Sequence, residues 1–138
     1  MLFRSNSSFG IVDNKTELEP EDDAATVNWG EGWQMPSRDQ FSELVEKNSS
    51  YTTTEWTTLN GVNGLKITSK SNGNSIFMPA VGIRDAASLF GAGNGGGYWS
   101  RTLTNAPNSA SGLNINSSDI GTGIARRYYG FCVRPVRK

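Results

Sequence analysis

Three Asn-Gly pairs, at 60–61, 63–64 and 72–73, punctuate the stretch YTTTEWTTLNGVNGLKITSKSNGNSIFMPAVGIRD that begins at Tyr51. Between them lie runs rich in Thr, Ile, Val and aromatic residues. Asn and Gly accept the positive φ of tight hairpin turns, and β-branched residues suit a pleated, half-buried surface. The pattern commits the middle of the chain to short antiparallel strands and predicts them near 52–58, 63–69 and 74–78. Pro79 ends the third strand or places it at a sheet edge, because proline cannot donate to a ladder.

Upstream, two helices are expected. LEPEDDAATVNWG puts Pro20 in a first turn, where a missing N–H costs nothing, and follows it with three acids that complement the helix dipole. Gly30 is the stop. PSRDQFSELVEKN offers Ser37 as N-cap with Gln40 three residues on, a capping box, followed by the apolar stripe Phe41, Leu44 and Val45 and an end at Asn48. Downstream, strands are expected near 98–103, 110–116 and 130–136, with a loop over 117–129. Alternation turns Leu113, Ile115, Phe131 and Val133 inward. Two N-terminal helices followed by many short strands predict an α+β domain with the helices on one side of the sheet. The 138 residues fit a single domain, 1–138.

Composition narrows the chemistry. The chain has no histidine and one cysteine, Cys132. The commonest general base and metal ligand is therefore absent, no intrachain disulfide can form, and a zinc site lacks ligands. Cys132 has no histidine to activate it and is expected as a small buried strand residue. The acids cluster only at Glu19–Asp23, which a helix start explains. No run has the spacing of a calcium loop. These absences point away from an enzyme and from any cofactor. Gly91, Gly93 and Gly96 match G-x-G-x-x-G, but a strand follows rather than a helix, so a tight or flexible loop is expected instead of a nucleotide site. Net charge is zero, with residues 1–60 at −7 and residues 61–138 at +7. That neutral balance, with no dense basic stripe, points away from nucleic acid. No apolar stretch approaches a membrane span, and MLFRSNSSFG lacks the apolar core of a signal peptide. Any export signal or anchor is expected outside this sequence.

The aromatic residues remain. Trp29, Trp33, Trp56 and Trp99 each lie near an apolar run and are expected in the core, with sugar stacking as the alternative. Arg126-Arg127-Tyr128-Tyr129 is different. It has no periodicity, yet it abuts the final strand. Tyr and Arg supply rigid, amphipathic contact area at low entropy cost. The segment reads either as a contact surface or as a solvated loop with one tyrosine tucked in.

Several elements occur together in order: Gly32-Trp33-x-Met35-Pro36, Asn60-Gly61-Val62-Asn63-Gly64, Gly73-Asn74-Ser75-Ile76-Phe77, and Gly130-Phe131-x-Val133-Arg134-Pro135-Val136. In this the chain resembles the Fibrobacter succinogenes major paralogous domain family of Bacteroidetes, from about Phe9 to Lys138. The resemblance implies a C-type-lectin-like fold, with two N-terminal helices packed on short antiparallel strands and long irregular loops. The closing motif also looks like that of formylglycine-generating-enzyme-like domains. Those use a cysteine pair, which a single cysteine cannot supply. The sugar-binding calcium motifs of C-type lectins are likewise missing.

Part of that fold group serves as the variable target proteins of diversity-generating retroelements, in which adenine codons of a C-terminal region are randomised. The resemblance then implies a framework of about 9–97 and 130–138 around a variable ligand-binding region of about 98–129. Its expected contact residues are Arg101, Leu103, Asn105, Asn108, Asn114, Asn116, Thr122, Ile124, Arg126, Arg127, Tyr128 and Tyr129. The partner would be a macromolecule, a protein or a glycan, met at a cell surface or from a phage particle. The alternative is a non-variable adhesin or structural module of a bacterial surface.

Overall fold

The computed structural model describes residues 14–138. Within them, β1 (Trp33–Gln34) and β10 (Val136–Arg137) form one small antiparallel pair. A meander of β2 (Thr52–Leu59), β3 (Val62–Ser69) and β4 (Ser75–Pro79) forms the second sheet. A hairpin of β5 (Ile83–Asp85) and β6 (Ser88–Phe90) follows. The last sheet is the antiparallel set β7 (Gly95–Trp99), β8 (Ser109–Asn116) and β9 (Ile120–Arg126), with β8 in the centre.

The α+β expectation of two N-terminal helices packed on strands, the C-type-lectin-like arrangement, is overturned. The described residues are 45% strand and 11% helix, and their order comes from several small antiparallel sheets. α1 (Ala24–Trp29) has six residues and α2 (Arg38–Val45) has eight. At 1.5 Å per residue such helices are roughly 9–12 Å long, too short to form a layer. α1 is short because Asp23, not a residue near Pro20, starts it. The Asp23 carboxylate is 2% exposed. It accepts hydrogen bonds from the backbone N–H groups of Ala25 (2.8 Å), Thr26 (3.1 Å) and, across the chain, Met35 (2.9 and 3.0 Å). Glu19 to Asp22 form a turn before it instead of a first helical turn. The helix ends where expected, at Gly30 with φ 93°. α2 starts as expected: Ser37 Oγ accepts from Gln40 N–H (3.1 Å) and Gln40 Oε1 accepts from Ser37 N–H (2.9 Å). It ends at Val45, before Asn48.

The first meander follows its predicted strands closely. Asn60 and Gly61 both take positive φ at the β2–β3 turn. Asn63-Gly64 is not a turn but part of β3. Its glycine is there because a Cβ would collide with the Met78 carbonyl on the neighbouring strand. Pro79 ends β4 at a sheet edge.

The core lies where α2 meets the two larger sheets. Phe41 and Val45 pack with Leu65, Ile67, Met78, Tyr98, Leu113 and Ile115. Leu113 and Ile115 are inward as expected. Of the tryptophans, Trp29 is 54% exposed and Trp33 and Trp99 are only half-buried, while Trp56, also half-buried, packs against the core as expected. Trp33 carries the Arg137 guanidinium 5.4 Å from its ring centre. Within the core, the Tyr98 hydroxyl donates to the Pro79 carbonyl at 2.7 Å.

Desolvation of this phenol, with the nearby Cys132 thiol, pushes its pKa up to about 12. Its folded pKa thus exceeds the ordinary tyrosine value, so its contribution to stability is full below about pH 10. That contribution is lost as pH rises from about 10 to 12. The thermal midpoint should fall across that window, and fall less steeply in Tyr98→Phe. Identical slopes in the two proteins would show that Tyr98 does not titrate there.

Candidate functional site

Two expected features of the last third are replaced by one structural device. The predicted loop 117–129 contains β9, and the glycine run 91–97 contains the start of β7. Residues 130–133 are not a regular strand. They run beside β7 through a parallel bridge of Cys132 to Tyr98, with Trp99 N–H donating to Cys132 O and Cys132 N–H to Gly97 O, both at 2.9 Å. Gly130 pairs in the antiparallel sense with Arg84 of β5.

The register explains this arrangement. Tyr98, Leu113 and Thr122 lie opposite one another on the inner face, as do Ile115 and Ile120. The other face carries Gly95 and Gly97 of β7, Gly112 and Asn114 of β8, and Gly121 and Gly123 of β9. At these glycines the face is bare, with Trp99, Asn114 and Asn116 beside them. Phe131 lies down on it: a Cβ at residue 97 would come within 2.7 Å of three Phe131 ring atoms, and one at 112 within 3.5 Å. Phe131 is therefore half-buried on the outer face, not in the core as its alternation predicts. Val133 is likewise only half-buried, and Cys132 is exposed where a buried residue was expected. Burial of part of its surface still pushes the Cys132 thiol pKa up, which lowers its reactivity.

Three more aromatic rings continue from Phe131, one on β7 and two just upstream in the chain. Trp99 stacks on it with centroids 4.1 Å apart at 21°. Tyr129 is parallel to it within 5° at 6.5 Å, and Tyr128 meets Tyr129 edge-on at 4.8 Å and 64°. Tyr128 is the most open, at 67% exposure. Its hydroxyl, by hydrogen bonding and charge, raises the Tyr129 phenol pKa, with Asp85 also raising it and Arg126 opposing. On its far side Trp99 borders an apolar cleft of about 260 Å³, which Met35, Leu103, Ala110, Val133 and Arg127 also line.

The expected contact residues divide into three groups. Arg126, Tyr128 and Tyr129 share the turn 126–129, closed by Tyr129 N–H to Arg126 O at 3.1 Å, with Arg126 and Tyr128 exposed and Tyr129 half-exposed. Asn114 and Asn116 lie on the glycine-rich face, where Asn116 Oδ1 accepts from the N–H groups of Ser118 (2.9 Å) and Asp119 (2.7 Å) to shape the β8–β9 turn.

The second group faces inward or holds the frame. Arg127 is 6% exposed, and its Nε donates to Ser109 O at 2.9 Å. Burial lowers its pKa. It is not on the outward surface. Arg101 clamps Glu17 (3.1 Å), Met35 O (3.0 Å) and Gln40 (3.0 Å). Thr122 turns toward α2, with its hydroxyl 3.1 Å from Ser42 Oγ. Leu103 lines the cleft. The third group stands apart from the aromatic row: Asn105 and Asn108 lie exposed between β7 and β8, and Ile124 is exposed on the α2 side of β9.

Sequence reasoning missed Trp99, Phe131 and the glycine floor as parts of one surface. A signal was present: Gly95-x-Gly97 and Gly121-x-Gly123 both alternate at strand period. Among the described residues no group of three or more His, Cys, Asp or Glu is placed to hold a metal ion, and no helix is long and apolar enough to cross a membrane.

Gly97→Ala should lower stability by about 1–3 kcal/mol in urea unfolding, since Phe131 must lift off the sheet. Gly121→Ala, whose Cβ would meet nothing within 4 Å, should stay within about 0.5 kcal/mol of the wild type. Equal effects would mean the floor is not what seats Phe131. No family model, curated protein or solved structure matches the chain.

Proposed function

We propose that the chain is a non-enzymatic recognition protein, the variable target of a diversity-generating retroelement, working at a cell surface or on a phage particle. The carrying observation is the turn 126–129, which presents Tyr128 and Arg126 to solvent while Arg127, between them, is tied into the frame. Exposed Tyr and Arg on a rigid support are what a binding surface uses, because few rotamers are lost on contact. The motif resemblance to the Fibrobacter succinogenes major paralogous domain family supports the same reading, and the retroelement link rests on that resemblance. The ligand is a protein or a glycan, met by surface complementarity across the outer face of β7–β9 and the aromatic row. A specific interface needs about 800 Å² per partner.

The position of Arg101 and Arg127 sharpens the test. In the same locus sequenced across isolates, substitutions should concentrate at adenine-bearing codons within 98–129. They should fall on Tyr128, Tyr129, Arg126 and Asn114 and spare Arg127 and the floor glycines. Substitutions spread evenly along the gene would favour the invariant adhesin instead. Tyr128→Ala should leave the thermal midpoint within about 3 °C of the wild type. A larger drop would make it a framework residue.

A further inference from the structure

Four asparagines of this chain precede a glycine: Asn60, Asn63, Asn72 and Asn94. Such a pair carries a reaction of its own. The glycine backbone nitrogen can attack the asparagine side-chain carbonyl carbon, because no Cβ hinders its approach. That nitrogen gives up its proton, the bond from the carbon to the side-chain nitrogen breaks, and ammonia leaves. Water then opens the cyclic imide at either carbonyl, which yields aspartate or the chain-lengthened isoaspartate. No oxidant, metal or catalytic side chain takes part. Attack needs two freedoms: a glycine N–H that is not tied to an acceptor, and a side-chain amide that can swing over it. All four asparagines are exposed, so exposure does not choose among them.

Hydrogen bonding does. The Gly73 and Gly95 nitrogens both donate, to Ser69 O and Gly91 O, each at 2.9 Å. Asn72 is fixed as well, its Oδ1 accepting from Asn74 N–H at 2.9 Å. Asn63 is gripped at both ends of its amide: Nδ2 donates to Gly93 O at 3.0 Å, and Oδ1 accepts from Thr58 Oγ1 at 2.7 Å. Its glycine, Gly64, is buried in the centre of the meander, paired with Thr57 on one side and Pro79 on the other. Asn60 and Gly61 have none of these ties. Among the described residues neither the Asn60 amide nor the Gly61 N–H makes a hydrogen bond. The two form the tip of the β2–β3 hairpin, with φ of 50° and 80°, a two-residue turn closed by the pairing of Leu59 with Val62. A Cβ at residue 61 would meet nothing within 4 Å, so no neighbouring segment stands in the way.

We propose that Asn60 is a self-modification site, at which the folded chain loses ammonia and acquires aspartate and isoaspartate, while hydrogen bonding and strand pairing hold the other three Asn-Gly pairs intact. Each event adds one negative charge to a chain whose net charge is zero. Isoaspartate also puts an extra methylene into the backbone, which a two-residue turn closed on Leu59 and Val62 absorbs only by opening. The inference is independent of what the protein recognises. The test is incubation of the full chain at mildly alkaline pH, folded or in concentrated urea, followed by peptide mapping with enzymatic methylation of isoaspartate as the readout at each site. In urea all four sites should react at comparable rates. Folding should slow Asn63, Asn72 and Asn94 by more than about a hundred-fold, since each reacts only when the structure around it opens, and Asn60 by less than about ten-fold, since only the hairpin end must give. Asn60→Gln, with an unchanged circular dichroism spectrum, should remove nearly all isoaspartate from the folded chain. Equal protection of the four sites, faster reaction at any of the other three, or isoaspartate persisting in the folded Asn60→Gln variant overturns the inference.

Discussion

The outer architecture depends on the contact between the Phe131 ring and bare backbone. A side chain at 97 would fill the space that the ring occupies, and one at 112 would collide with the Tyr98 carbonyl of the paired strand. With glycine there, residues 130–133 can run beside β7 and exchange hydrogen bonds with Gly97 and Trp99. That placement seats Phe131 against Trp99, brings Gly130 to Arg84, and leads the chain on to Val136, which pairs with Gln34. A single steric permission therefore positions the aromatic row and the strand that closes the domain. The loss of side-chain burial at Gly97 and Gly112 is offset by one large aromatic lying against them.

The turn that follows β9 divides its work residue by residue. Arg127 goes inward to the Ser109 carbonyl and its N–H donates to Asn108 O. Arg126 and Tyr128, on either side, point to water. A buried guanidinium held by a backbone carbonyl is costly to move, because its desolvation is repaid only in that position. The neighbouring residues consequently sit on a fixed base. Arg101 has the same framework role at the other end of the region, joining Glu17, Met35 and Gln40.

The parts of the fold governed by local rules were legible. The capping box at Ser37 and Gln40, the Asn60-Gly61 turn, the three strands of the first meander and the inward Leu113 and Ile115 each follow from a few neighbouring residues. The parts governed by distant contacts were not. β9 was hidden because Gly121 and Gly123 look like turn residues unless they are known to pair with Asn114 and Gly112 of β8. Phe131 and Val133 alternate as core residues do, but their sheet is covered on the inner face by α2, so they cover the outer one. Arg127 could not be told from Arg126 without knowing that β9 continues to residue 126 and then turns. The helices were overestimated because Asp23 serves Met35 as well as its own helix, and that second partner is twelve residues away.

The pairing of Trp33–Gln34 with Val136–Arg137 has a bearing on biosynthesis. A strand made early has its partner almost at the other end of the sequence, and contacts of such separation form slowly. During translation β1 must wait, unpaired, until residue 137 has left the ribosome. The meander 52–79 can assemble on the nascent chain in the meantime, whereas closure of the domain and docking of Phe131 wait for the last of these residues to emerge.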